Sequence, residues 1–80
     1  MTINILAFGI TKEILGGASV GFQVGDEVTV ELLQASLEQQ YPRLQELTSF
    51  MIAVNGTYAT SGTVIKPGDE VAIIPPVSGG

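Results

Sequence analysis

Apolar residues come in short runs whose spacing changes along the chain. From Thr2 to Phe8 they occupy both sides of an extended segment, with Ile3, Ile5 and Ala7 on one face and Leu6 and Phe8 on the other. Such a run predicts a central strand with at least one side well covered. Thr11 to Leu15 is long enough for one helical turn, closed by Gly16-Gly17. Ser19 to Val24 then alternates: Val20, Phe22 and Val24 point one way, and Ser19, Gly21 and Gln23 the other. That is the pattern of a half-buried strand, paired antiparallel with the first.

The period changes at Val30, where Val30, Leu33, Leu37 and Tyr41 recur at helical spacing and predict a helix over 30–40. Thr29 suits the N-cap, and Glu31 places negative charge near the positive end of the helix dipole. Gln34, Glu38 and Gln39 are expected to face water, while Leu32 lies off the stripe and is expected over a satellite cluster. Pro42 bars continuation, and Arg43 stands at the negative end. Residues 43–47 suit a short turn of helix that tucks in Leu44 and Leu47. Phe50 to Val54 predicts a third strand, stopped by the hairpin signal Asn55-Gly56, with a short return over 57–60. Val64-Ile65 leads into Lys66-Pro67-Gly68-Asp69, where Pro then Gly suits a type II turn. Glu70 to Ile74 is the last strand, and its apolar run predicts a buried position. One mixed sheet packed on one main helix, an α+β architecture, accommodates this order. The first and last strands are expected side by side in its middle. Ile5, Val20, Phe22, Leu33, Leu37, Ile52, Val71 and Ile73 are the expected core.

Composition narrows the chemistry. Eighty residues make one small domain, and an apolar share of 45% fits a compact chain. No apolar run approaches the roughly 20 residues of a membrane span, and no signal peptide is visible. Cytoplasmic location is the default expectation. Cysteine and histidine are absent, which removes the thiolate nucleophile, the commonest general base and the usual soft metal ligands. No metal site is expected. Eight acids against Lys12, Arg43 and Lys66 give a net charge of -5, which argues against nucleic acid and suits a basic partner or plain solubility. Asp26-Glu27 and Asp69-Glu70 are adjacent pairs beside turns, and Gly16-Gly17 lacks the residues of a phosphate loop. An independent enzyme is therefore the least favoured class.

The residues after the last strand carry the most chemical information. Pro75 and Pro76 fix φ and hold the segment extended, whereas Gly79 and Gly80 have no Cβ and fit a slot too narrow for side chains. A stiff stem with a bare tip suits a carboxylate delivered into another protein's active site. A frayed end is the plainer reading of a glycine pair alone.

Phe50-Met51-Ile52-Ala53-Val54-Asn55-Gly56, and the run from Pro67-Gly68-Asp69-Glu70-Val71-Ala72 through Pro75-Pro76-Val77-Ser78-Gly79-Gly80, resemble the small sulfur-carrier subunits of molybdopterin synthase. Residues 5–16, and Thr29-Val30 with Leu33 and Leu37, extend the likeness over essentially the whole chain. The resemblance implies a ubiquitin-like β-grasp domain over residues 1–76 and a flexible tail over 77–80. It implies a carrier with no bound cofactor and no catalysis of its own. Gly80 is then adenylated by a partner related to ubiquitin-activating enzymes, using ATP, and converted to a thiocarboxylate by a sulfur-donor system. The tail (Pro75, Pro76, Val77, Ser78 and Gly79) enters the large synthase subunit, where the sulfur builds the dithiolene of molybdopterin. Phe8 and Ile74 match positions that contact the large subunit, although residue type alone makes them ordinary core residues. The family often has phenylalanines at positions 73 and 74 and an aromatic at 7, where this chain has Ile73, Ile74 and Ala7. Alternative readings are a carrier of the thiamine type, which usually lacks the Pro-Pro-Val-Ser stem; a ubiquitin-like protein modifier; or a β-grasp interaction module with no reactive end.

Overall fold

The computed structural model describes residues 1–47 and 50–75. Thr48, Ser49 and residues 76–80 lie outside the described residues, and with them all of the predicted tail beyond Pro75.

Among the described residues, five strands form one mixed sheet in the order β2-β1-β5-β3-β4. β1 (Thr2–Ala7) pairs antiparallel with β2 (Ser19–Gln23), as expected, and parallel with β5 (Glu70–Ile74), which occupies the centre. β3 (Met51–Val54) joins the other side of β5 antiparallel and carries the short β4 (Thr57–Tyr58). The expected β1–β5 pairing is therefore present, with Ile5 beside Val71 and Ala7 beside Ile73.

The helix α2 (Val30–Gln40) starts and stops where its sequence dictates. Thr29 is extended, and its hydroxyl oxygen accepts a hydrogen bond from Leu32 N at 3.2 Å, satisfying one of the free donors of the first turn. At the far end Tyr41 N still donates to Leu37 O at 2.7 Å, but Pro42 has no N–H to continue and opens a 3-10 turn over Pro42–Glu46. That turn buries Leu44, as expected. Residues 10–15 form α1 (Ile10–Leu15), ended by Gly16 at φ 85°, a conformation that glycine adopts without strain.

One core cluster joins α2 to one face of the sheet. Ile5, Leu33, Leu37, Val71 and Ile73 are all 0% exposed and Ile52 is 4% exposed. Val20 and Phe22, also expected in the core, are half-buried and pack against it from the edge strand β2. A strand at the sheet's margin has a neighbour on one side only, so its inward residues keep part of their surface in water. Leu32 covers no satellite cluster and is 58% exposed. Gln34 and Glu38, expected in water, are half-buried and bonded to each other at 3.3 Å. The predicted strand over 57–60 stops at Tyr58. Val28 and Ile65 complete the core from loop segments, held together by Ile65 N donating to Val28 O at 2.8 Å.

Candidate functional site

Two faces of one sheet diverge. Odd positions of β1 and β5 point under α2: Ile3, Ile5, Ala7, Val71 and Ile73 are all buried. Even positions point outward, where no described element covers them. The outer face changes character along its length. Thr2 and Asn4 of β1, Gly21 and Gln23 of β2 and Glu70 of β5 make one end polar. Leu6, Phe8, Ala72 and Ile74 make the other end apolar.

The strand register explains how this apolar end is assembled. Leu6 lies beside Ala72, Ala72 beside Ala53, Ile74 beside Met51, and Ala53 beside Tyr58. Outward residues of four strands thus converge on one groove of about 330 Å³, lined by Leu6, Phe8, Ala53, Tyr58, Ala72 and Ile74, with Gly56 and Glu70 beside them. Phe8 and Met51 are each 49% exposed and Tyr58 is 60% exposed. Ala53 is buried without belonging to the core cluster, because its contacts lie on the outer side. A patch of large apolar side chains left in water is the usual mark of a docking surface.

Of the sequence-predicted residues, the structure brings Phe8 and Ile74 to this one face and places neither in the core. Pro75 follows directly, half-buried, at the end of β5. Pro76, Val77, Ser78, Gly79 and Gly80 lie outside the described residues. Sequence reasoning missed Met51 and Tyr58. Met51 opens a strand whose next residues are both buried, and Tyr58 sits in a strand of two residues, so neither shows a readable alternation. The β3–β5 pairing, between segments distant in sequence, brings Met51 beside Ile74, whereas the local Asn55-Gly56 hairpin brings Tyr58 beside Ala53.

The turn after β1 shapes the rim. Phe8 has left the ladder, and Thr11, fully buried, supplies both of its main-chain partners. Thr11 Oγ1 accepts from Phe8 N at 2.9 Å and donates to Phe8 O. Gly9 follows with φ 57° and ψ -132°, a region closed to side-chain-bearing residues, and a Cβ there would touch Pro75 Cγ at 3.4 Å.

The opposite end of β5 is held by a polar knot. Asn55 (φ 53°) and Gly56 (φ 81°) form the predicted hairpin turn. Asn55 Nδ2 donates to Asp69 Oδ1 at 2.9 Å, and Glu70 N donates to Asn55 Oδ1 at 2.9 Å. Lys66 N donates to Asp69 Oδ2 at 2.8 Å, closing the Lys66–Asp69 turn in which Gly68 has φ 89°. The Lys66 backbone donor first, then the Asn55 amide, hold the Asp69 carboxyl below the ordinary value of 3.8. No group of three His, Cys, Asp or Glu side chains is arranged to hold a metal ion among the described residues. No helix among them is long and apolar enough to cross a membrane.

A mixed sheet centred on a parallel β1–β5 pair, with one long helix across one face, defines a ubiquitin-like β-grasp protein. The crystal structure of SAMP1 from Haloferax volcanii matches it with a TM-score of 0.82 at 27% identity, covering 100% of both chains. Residues 5–80 match the ThiS family. The molybdopterin synthase sulfur carrier subunit of Homo sapiens is 35% identical, with 98% of this chain and 93% of the relative covered. Its namesake from Mycobacterium tuberculosis is 38% identical, with 98% and 96% covered. The chain belongs to the ThiS family, and the likeness implied by its strand and stem motifs holds across its length.

Proposed function

We propose that this chain is the sulfur-carrier subunit of a molybdopterin synthase and that Gly80 is its reactive residue. The observation that carries the reading is the position of the apolar groove, at the end of the sheet where β5 runs on into the Pro-Pro-Val-Ser-Gly-Gly segment. A docking face beside the root of a nearly side-chain-free segment suits a protein that is gripped by its body while its end is inserted elsewhere. The named relatives, similar over essentially the whole chain, support the same assignment.

On this reading residues 1–76 form the gripped domain and 77–80 the tail. An ATP-using partner of the ubiquitin-activating type adenylates the Gly80 carboxylate, converting a poor acyl donor into one with a good leaving group. Sulfur from a donor system displaces AMP and leaves a thiocarboxylate. Phe8 and Ile74 meet the large synthase subunit, and Pro75, Pro76, Val77, Ser78 and Gly79 lead the sulfur to a pterin precursor. Binding energy gathered on the groove, remote from the reacting carbon, positions the thiocarboxylate. The chain itself binds no cofactor, catalyses nothing alone and acts in the cytoplasm.

Incubation with the cognate adenylating enzyme, ATP and a sulfur donor tests the proposal by intact mass. The expected product is heavier by the difference between sulfur and oxygen, with fragmentation placing the change on Gly80. An unchanged mass with an active enzyme preparation would overturn the assignment. The likeness to the Haloferax volcanii small archaeal modifier protein 1 favours a second reading, isopeptide conjugation to lysines through the same activated glycine. Ladders of larger conjugates in cells are its expected outcome, and their absence beside a charged thiocarboxylate would leave the carrier reading alone.

A further inference from the structure

We propose that Thr11 is a positioning residue for docking: its hydroxyl holds the main chain of Phe8 in the orientation that the partner subunit binds. This rests on the carrier reading above, and on Phe8 as a contact residue.

Phe8 is in an exacting position. Its side chain stands half in water, and its backbone lies one residue past the end of β1, where ladder hydrogen bonds cease. An aromatic there is free to swing with its main chain unless something local holds it. Thr11 does so with one atom. Oγ1 accepts the Phe8 N–H at 2.9 Å and returns its own proton to Phe8 O, which also accepts from Thr11 N at 3.1 Å. Thr11 is the buried polar side chain among the described residues, 0% exposed, so its hydroxyl is shielded from water although the Phe8 side of the bonds is only partly covered. Its hydroxyl satisfies both partners within the four-residue turn from Phe8 to Thr11. Gly9 completes that turn and lies against Pro75, so the aromatic and the first stem residue are set by one piece of backbone.

Ordering one residue's backbone on binding weakens association by about tenfold, and a residue ordered in advance avoids that loss. Thr11→Val keeps the shape and removes the hydroxyl; Thr11→Ser keeps the hydroxyl and removes a methyl. Titration calorimetry of the full chain against the cognate large subunit, at a temperature where each variant is folded by circular dichroism, measures the consequence. Thr11→Val is expected to weaken binding about tenfold and Thr11→Ser to restore most of it. In a Phe8→Ala background, Thr11→Val is expected to have no further effect, because the residue acts through Phe8. Amide exchange adds a readout that needs no partner: the Phe8 N–H should exchange faster in Thr11→Val and stay protected in Thr11→Ser.

If Phe8→Ala weakens binding but Thr11→Val weakens it equally in both backgrounds, positioning through Phe8 is wrong while the docking face stands. Equal losses for Thr11→Val and Thr11→Ser would likewise overturn the inference, assigning the effect to packing. If Phe8→Ala leaves binding unchanged, the docking assignment of Phe8 falls, and this inference with it.

Discussion

Toward the end of β1 and β5, the two faces of the sheet are both apolar but differ in what covers them. Under α2, Ile5, Val71 and Ile73 have no exposed surface. On the reverse, Leu6, Phe8, Ala72 and Ile74 are as apolar but remain partly or largely in water. Hydrophobicity alone therefore does not define a core: a core needs a second layer, and here one helix covers only one side. The covered face stabilises the chain, whereas the bare face, on the proposed function, leaves free energy for a partner to collect.

Cutting one side chain from each face should have opposite consequences. Leu37→Ala removes a fully buried helix residue and should destabilise the domain by about 2–5 kcal/mol, read by urea unfolding. A domain of this size loses about 4–8 °C in Tm per kcal/mol, so the shift is large. Partner affinity, measured on the fraction that is folded, should hardly change. A loss below about 1 kcal/mol would remove α2 from the load on the covered face.

Phe8→Ala should behave in the opposite sense. Its stability should change little, and its affinity for the large subunit should fall by about 2 kcal/mol, as for an aromatic anchor at an interface. Ile74→Ala should follow with a smaller loss of affinity. If Phe8→Ala unfolded the protein as Leu37→Ala does, the two faces would not be functionally distinct.

Much of the covered face was legible in the chain. The helix over 30–40 has a clean period, a capping threonine and a proline stop, and β5 is marked by a turn before it and a proline after it. The β1–β5 pairing followed from two strongly apolar runs. Less was legible where register or layer order decides. Val20 and Phe22 alternate as core residues do, but the edge position of β2 leaves them half-buried. Ile65 is 1% exposed yet lies in a loop with no period to betray it. The groove is assembled from four strands, and although the Asn55-Gly56 hairpin and the β1–β5 pairing were legible, the β3–β5 register that sets Met51 beside Ile74 and Ala53 beside Ala72 is encoded by no local pattern. Phe8 and Ile74 came from the resemblance, and Thr11 looked like a helix residue of no special interest until its bonds to Phe8 were visible.

Gly9 lies where the apolar end of the sheet meets Pro75. Gly9→Ala should cost on the order of 1–2 kcal/mol, because φ 57° with ψ -132° is closed to side-chain-bearing residues. The added Cβ would sit 3.4 Å from Pro75 Cγ, an ordinary contact, so backbone strain should dominate over crowding. Gly9→Ser should therefore lose about as much as Gly9→Ala in thermal unfolding. A loss that rises with side-chain size would instead make packing against Pro75 the controlling term.

The smallest expected effect lies at the far end of β5, away from the apolar rim of the groove. Hydrogen bonds from Lys66 N and the Asn55 amide favour the charged form of Asp69 and hold its carboxyl below 3.8 in the folded chain. A carboxyl depressed on folding stabilises the fold above its unfolded value, and that contribution disappears as pH falls through the lower folded value. Stability should thus decline below about pH 4 as the Asn55–Asp69–Lys66 knot is protonated. Asp69→Asn should make the pH dependence shallower in that window, measured as the difference between the two proteins' urea midpoints. At neutral pH the substitution should leave partner affinity unaltered, because Asp69 itself does not line the groove and the groove's large apolar side chains, Phe8 and Ile74 among them, lie toward the exit of β5. An equal slope in both proteins would show that the knot contributes nothing through charge; a loss of affinity at neutral pH would show that the two ends of β5 are mechanically linked.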